Sequence, residues 1–215
     1  MTNHRMLAVI AGALYLLTFA TSIPALALKQ PFLDGGGSTA AAQWAVLLEI
    51  VLAFACIGTA VAIHPVARRK NEALALGFVA SRTLEAAVIL VGVVSLLSII
   101  GLRSAGVIEG GAGPETLRAL TLVHDWAFLL GPGLMPVVNA LLLGSLLYRY
   151  CLVPRIIPLV GLVGAPLLLL SSVGTLFGLL DQVSPLAGLA ALPIALWELS
   201  IGIWLVVKGF APEHD

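Results

Sequence analysis

Six ionisable side chains lie inside long apolar stretches of the sequence, where such groups are rare. They are Glu49, Arg82, Glu85, His124, Asp125 and Glu198. A charged side chain at the centre of a helix in lipid costs at least about 2.5 to 3.5 kcal/mol, so these groups are expected to face the interior of a helix bundle and to pair there. Together with Asn139 they form our predicted set of binding or proton-exchange residues, brought by four helices into one polar cluster.

The spacing of Arg82 and Glu85 places both side chains on one face of a helix. Two arrangements are open: a local ion pair, or an Arg82 that bridges to Glu49, Asp125 or Glu198 on another helix. Four ionised carboxylates against one guanidinium would leave a net charge of about minus three, which an apolar interior does not tolerate. We therefore expect at least one protonated carboxyl group, or a cation or water-filled cavity that compensates the charge.

His124 and Asp125 could act as a general base with its orienting acid, or as two stations of a proton relay. Because neighbouring residues on a helix point about 100° apart, we expect the two side chains to contact different neighbours instead of each other. Only His124 shares the depth of the acids, and zinc sites usually need more imidazole. The sequence therefore predicts no metal and no other cofactor, and it assigns no catalytic residue.

A second unusual segment is Gly131-Pro132-Gly133, which is followed by Pro136 and Asn139. Proline removes a backbone donor and glycine offers little resistance to unwinding, so the helix is expected to kink or break there. Broken helices at membrane depth usually line cavities, where freed carbonyl groups can bind a ligand or an ion. A static proline kink is the alternative.

The composition indicates which elements must carry these residues. Of the 215 residues, 60% are hydrophobic and 10% are charged, whereas ordinary globular chains are about 45 to 50% apolar and about 25% charged. Basic and acidic residues balance at 11 each, and no run of Lys and Arg could form a phosphate-binding stripe, so a nucleic-acid partner is excluded. We predict a multi-pass protein of the cell membrane.

Six stretches are long and apolar enough to cross a hydrocarbon core of about 30 Å as helices. Their approximate limits are residues 6–28, 43–67, 73–102, 119–148, 156–180 and 186–207. Backbone amides in lipid must be satisfied within each segment, so we predict an all-α, six-helix transmembrane bundle that forms a single domain over residues 1–215.

The distribution of basic residues predicts that both termini are cytoplasmic. In that orientation the inner connections and tails carry Arg5, Arg68, Arg69, Lys70, Arg149, Arg155 and Lys208, and the outer connections carry Lys29, Arg103 and Arg118. One rival interpretation concerns the first stretch, which ends in Ala25-Leu26-Ala27 and resembles a signal peptide with its cleavage site. Cleavage there would leave five spans.

Several segments together resemble a bacterial membrane family, the domain of unknown function 4386. They are Arg82-Thr83-Leu84-Glu85, Gly144-Ser145-Leu146-Leu147-Tyr148-Arg149, Val153-Pro154-Arg155-Ile156-Ile157, Trp197-Glu198-Leu199 and Ile203-Trp204-Leu205-Val206-Val207-Lys208-Gly209. The resemblance implies a six-helix protein of the bacterial inner membrane and favours Arg82, Glu85 and Glu198 as a related set, without implying an activity. Trp197 stands where the family pattern has glycine, which puts the size of any shared pocket in doubt.

Three functions are compatible with these residues. The first is binding or translocation of a small solute or proton through the acid–arginine cluster. The second is an intramembrane enzyme that acts on a lipid or isoprenoid, with His124 or Asp125 as general base, and the third is a structural or accessory membrane subunit. The expected partners are the lipid bilayer, a small-molecule or lipid ligand, and a second copy of the chain.

Overall fold

The structure is a computed structural model, and it describes residues 3–106 and 113–211 of the chain. This part contains six helices that are long and apolar enough to cross a membrane. They are α1 (Asn3–Leu33), α2 (Thr39–Ala67), α3 (Glu72–Ser104), α4 (Gly113–Arg149), α5 (Ile156–Leu176) and α6 (Pro185–Val207). The prediction of an all-α protein with six candidate membrane spans is confirmed.

Polar side chains define where three of the helices begin. Ser38 accepts a hydrogen bond of 3.1 Å from the backbone amide of Ala41 at the start of α2. Asn71 and Ser184 cap α3 and α6 in the same way. Each cap satisfies a backbone donor that the first helical turn leaves unpaired, which is why the chain enters the helices at these points.

Four predicted limits differ from the structure by four residues or more: the end of the first helix, the end of the fifth, and the starts of α2 and α4, which lie at Thr39 and Gly113 instead of residues 43 and 119. The first helix continues to Leu33 instead of ending near residue 28, so Lys29 lies within the helix and not in a connection. The fifth helix ends at Leu176 instead of residue 180, because Gly178 adopts a φ of +69° that breaks the helical path. The first of these differences matters for the interior charges described below.

The start of α1 and the end of α6 lie together on one face of the bundle. The Arg5 guanidinium donates hydrogen bonds of 3.0, 2.7 and 3.1 Å to the carbonyl oxygens of Leu205, Val206 and Val207. We call this the terminal face, and we call the face where α1 ends the opposite face. Arg103 marks the opposite face, where it donates to the Phe32 carbonyl at the end of α1.

Helices α1 and α6 cross at two glycines in the half near the terminal face. A methyl group on Gly12 would lie 2.6 Å from the Gly202 carbonyl oxygen, so the two backbones touch. Small residues permit this close approach. In lipid, van der Waals packing of this kind helps to hold helices together, because no hydrophobic driving force acts between them. The hydrophobic core of this half, which includes Tyr15, Phe78 and Leu143, is fully buried.

Candidate functional site

Arg82 and Glu85 form a local ion pair on α3. The Arg82 Nη1 lies 2.8 Å from the Glu85 Oε2, and the two side chains are only 2% and 6% exposed. Residues three apart share a helical face, and the buried surroundings shield the contact from competition by solvent. The predicted local pair is therefore present.

Asn139 of α4 completes a hydrogen-bond chain around this pair. Its Nδ2 donates to the Glu85 Oε2 at 2.7 Å, and its Oδ1 accepts from the Ser81 hydroxyl at 2.7 Å. Both ends of a buried amide are thus used, which fixes its orientation. The network holds α3 and α4 together at the depth of the charges.

Glu198 of α6 also lies close to the Arg82 guanidinium. Its Oε1 lies 3.6 Å from the Arg82 Nη1, so Arg82 bridges two helices as well as pairing within its own. Both arrangements left open by the sequence are therefore realised, with Glu198 as the bridging partner. The Glu198 side chain is 13% exposed, and its Oε1 accepts no hydrogen bond.

Several polar atoms around Arg82 have unused hydrogen-bonding capacity. The Arg82 Nε and Nη2 are buried without a hydrogen-bond acceptor, and the Tyr15 hydroxyl is buried without a partner. The Arg82 guanidinium lies over the Tyr15 ring at 5.1 Å from its centroid, which supplies a cation–π contact. A buried guanidinium with unused donors is typical of sites that hold a polar group, because each unmet donor is costly in an apolar interior.

The charged residues lie at one end of a cavity of about 420 Å³, which we call the large cavity. Arg82, Glu85 and Glu198 line it together, and most of the remaining lining is apolar. Its walls come from the opposite-face half of the bundle, where Phe19 of α1 and Gln182 of the α5–α6 connection contribute. A concave apolar site with a few convergent polar groups is the usual form of a small-molecule site, and volumes of about 300 to 1,000 Å³ are typical.

The proline-rich segment of α4 forms part of this cavity wall. The helix does not break there; it widens into π-helical turns over Leu129–Leu134 and Ala140–Gly144. Pro132 and Pro136 line the cavity, as the sequence predicted for such a segment. The Gly133 carbonyl is not free, since the Ser172 hydroxyl of α5 donates to it at 3.2 Å.

A second buried charged group lies nearer the opposite face and is separate from the first. The Lys29 Nζ of α1 forms an ion pair with the Glu49 Oε1 of α2, and both residues are buried. The Lys29 ammonium also lies 4.6 Å from the centroid of the Phe128 ring. Both residues of this pair and His124 line a small cavity of about 10 Å³. The prediction of one cluster from four helices is therefore wrong: the interior charges form two groups.

His124 and Asp125 do not line the large cavity. Against expectation their side chains contact each other, with the His124 Nδ1 3.3 Å from the Asp125 Oδ1. The 100° between neighbouring residues applies to the Cα–Cβ directions, and two flexible side chains can still converge beyond them. The Asp125 side chain is 49% exposed, so the expectation that it faces the interior is also wrong.

These positions change the charge balance that the sequence suggested. Lys29 neutralises Glu49, and Asp125 is half exposed, so neither acid adds to the charge of the large cavity. One guanidinium and two carboxyl groups remain there, which gives a formal net charge of about minus one when both acids are ionised. Sequence reasoning missed Lys29 because it assigned that residue to a connection. The apolar Pro31-Phe32-Leu33 that follows was the available signal that the helix continues.

Trp197 does not fill the cavity, although it is bulky and adjoins Glu198. Its ring is fully buried against Gly161 of α5, where any side chain would clash with it. The doubt that this residue raised about pocket size therefore does not apply to the large cavity. The Trp197 side chain lies on the α5 side of α6, and Glu198 reaches the cavity.

No curated protein and no solved structure matches this chain. A family model does match, and its description is "domain of unknown function (DUF4386)". The match runs over residues 10–209, which include all the interior charges described above. The described part of the chain has six candidate membrane spans, and the chain belongs to the DUF4386 family.

Proposed function

We propose that the protein binds a small solute in the large cavity and passes that solute, or a proton, through the membrane. Arg82, Glu85 and Glu198 are the polar end of the binding site. The observation that carries this proposal is the cavity of about 420 Å³ with those three side chains in its lining. Asn139 and Ser81 hold the site in place through their hydrogen bonds to each other and to Glu85.

The energetics of the cluster support a functional role. Apolar residues of similar volume would hold α3 and α6 together at least as well, because replacing a buried ion pair by good hydrophobic packing is often neutral or stabilising. Ionisable groups that persist at membrane depth are by default candidates for substrate or ion pathways. Here they lie at the end of a cavity, and two Arg82 nitrogens and one Glu198 oxygen have no hydrogen-bond partner.

The cavity is closed towards the terminal face. Phe78 and Leu143, one helical turn beyond the charges, are buried in one hydrophobic cluster with Tyr15, and the Gly12–Gly202 contact closes α1 against α6. Under this proposal, solute would enter from the opposite-face half. Translocation would require this packed layer to open, and the widened turns of α4 provide a segment that can adjust its path.

The orientation we propose places both termini on the cytoplasmic side of a bacterial inner membrane. The structure adds one argument to the count of basic residues: Lys29 is buried in an ion pair, so it no longer counts among the outer residues. Arg103 and Arg118 then remain on the opposite side against seven basic residues on the terminal side. The cavity would receive its solute from outside the cell or from the outer leaflet.

A pair of glycine variants tests whether the cavity holds a solute. A Cβ atom added at Gly188, an exposed residue that lines the cavity, meets no atom within 4 Å, and the same is true at Gly101 of α3, which is exposed and does not line the cavity. The Gly188→Trp variant should partly fill the cavity with an indole ring, and Gly101→Trp is the matched control. Each protein is transferred with native lipid into nanodiscs, and the small molecules it retains are released and identified by mass spectrometry.

The expected result is a molecule retained by the unmodified protein and by Gly101→Trp, but lost from Gly188→Trp. Identical retention by all three proteins would contradict solute binding in the cavity. The two alternatives, an intramembrane enzyme and a structural subunit, stay predictions. The structural alternative is the one favoured if filling the cavity changes nothing.

A further inference from the structure

We infer that the solute is a lipophilic cation, and that it competes with a proton for Glu198. The inference rests on the proposed function, since it names the chemical class of the ligand in the same cavity. It is carried by the imbalance of charge at the polar end of that cavity and by the apolar character of its walls.

The charges can be assigned one by one. Arg82 is engaged most closely by Glu85, at 2.8 Å, and Glu85 is further held by the Asn139 amide. Glu198 is farther from the guanidinium, at 3.6 Å, and its Oε1 has no hydrogen-bond donor. Glu198 is thus the carboxyl group whose charge is least compensated, and its side chain is the most exposed of the three.

Among the residues that the structure describes, the surroundings of Glu198 supply no second cation. The ionisable groups that face it are Tyr15 of α1, Cys56 of α2, and Arg82 and Glu85 of α3. Helix α5, the other neighbour of α6, has no ionisable residue in its sequence. An ionised Glu198 would therefore leave a surplus negative charge in apolar surroundings, and either a bound proton or a bound cation must balance it.

An anionic ligand fits this balance poorly. It would add a negative charge to a site that already has two carboxyl groups and one guanidinium, whereas a cation would bring the sum to zero. The walls favour a lipophilic cation over a hydrated metal ion, because apolar residues such as Phe19, Leu168 and Ile194 form most of the lining. The lining also has seven hydroxyl or amide side chains, and several of these hydroxyls already bond to backbone carbonyls. A proton and such a cation would exchange at one carboxylate, so that binding of either releases the other.

Two probe ions of the same shape and opposite charge test the inference. Tetraphenylphosphonium and tetraphenylborate differ in charge and scarcely in size. Binding of each to the protein in nanodiscs is measured against empty nanodiscs by scintillation proximity, over a series of pH values. The variants are Glu198→Gln, which removes the charge, Glu198→Asp, which keeps it, and the double variant Lys29→Met with Glu49→Leu, which removes a buried carboxyl group outside the large cavity together with its partner.

The phosphonium ion should bind at least about tenfold more tightly than the borate, because a desolvated charge pair distinguishes the two. Its binding should weaken as the pH falls, and under conditions where Glu198 is protonated it should release about one proton per ion bound. Glu198→Gln should lose both the pH dependence and at least about tenfold in affinity. Glu198→Asp should keep the pH dependence, and the Lys29→Met, Glu49→Leu double variant should bind both ions as the unmodified protein does.

Three results would overturn the inference. The first is phosphonium binding that Glu198→Gln leaves unchanged, and the second is the absence of saturable phosphonium binding. The third is borate binding that is as tight as phosphonium binding or tighter and that Gly188→Trp abolishes. That result would leave the proposed function intact and exclude a cation as its solute. If Gly188→Trp changes neither the binding of the two ions nor the retention of native molecules, the proposed function fails as well.

Discussion

The amide of Asn139 on α4 donates a hydrogen bond of 2.7 Å to the carboxyl group of Glu85 on α3, and it accepts one of equal length from Ser81. Asn139→Leu would remove both bonds, which leaves the buried Ser81 hydroxyl without its acceptor and the Glu85 Oε2 with Arg82 as its remaining donor. A buried polar group left unsatisfied costs about 1 to 3 kcal/mol. We expect a clear fall in the thermal unfolding temperature of the purified protein.

Ser81→Ala is the graded control for this network. It removes one bond and leaves the Asn139 to Glu85 contact in place, so its effect should be about half as large or smaller. Circular dichroism of the helical signal during heating provides the measurement. An Asn139→Leu protein as stable as Ser81→Ala would mean that the Asn139 to Glu85 bond contributes nothing to stability.

Lys29 and Glu49 provide a second prediction, because each is the partner of the other in a buried pair. Lys29→Met would leave a carboxylate without its cation, and breaking one side of a buried pair typically costs about 3 to 5 kcal/mol. Replacing both residues, as Lys29→Met with Glu49→Leu, should recover most of the loss. Unfolding of the single and double variants in detergent, followed as a double-mutant cycle, gives the coupling energy. Additive effects would show that the two side chains do not interact.

The six helices were predictable because their signal is strong and local. Long apolar stretches must satisfy their backbone groups internally once they are in lipid, so helices follow from composition alone. Caps such as Ser38 and Asn71 mark several of the ends. The limits at Lys29 and Gly178 were less clear. A charge or a glycine near the end of an apolar stretch is compatible with either a helix or a connection.

The candidate site was predictable only where its geometry is local. The spacing of Arg82 and Glu85 places them together on any helix. The contact of Arg82 with Glu198 depends instead on how α6 is rotated about its axis, and an almost uniformly apolar helix does not encode that rotation in its own sequence. The rotation follows from close packing elsewhere, such as Trp197 against Gly161 and Gly202 against Gly12. The separation of Glu49 from the cluster has the same origin.

The two free cysteines provide a test of orientation without any substitution. Cys151 is exposed in the connection between α4 and α5 on the terminal face, and Cys56 is buried within α2. If the terminal face is cytoplasmic, a membrane-impermeant maleimide should label Cys151 in inside-out vesicles and leave it unlabelled in right-side-out vesicles. Cys56 should remain unlabelled in both until the protein is unfolded. Labelling of Cys151 from the external side would reverse the proposed orientation.

The crossing of α1 and α6 leads to the last prediction. Gly12→Ala adds a methyl group that would lie 2.6 Å from the Gly202 carbonyl oxygen and 2.8 Å from the Val206 amide nitrogen, so the two backbones must separate. Overpacking of this kind usually costs about 1 to 3 kcal/mol. Gly101→Ala is the matched control, since its methyl group meets no atom within 4 Å and should stabilise the helix by about 0.5 to 1 kcal/mol.

The same pair of variants reports on the closure of the cavity. Because the Gly12–Gly202 contact closes α1 against α6 on the terminal side of the charges, separating the helices should admit reagents from that face. In a Cys151→Ser background, Cys56, which lines the cavity, should then react with maleimide from the terminal side in Gly12→Ala but not in Gly101→Ala. If Gly12→Ala unfolds at the temperature of Gly101→Ala and leaves Cys56 unreactive, the crossing is not what closes the bundle on that side.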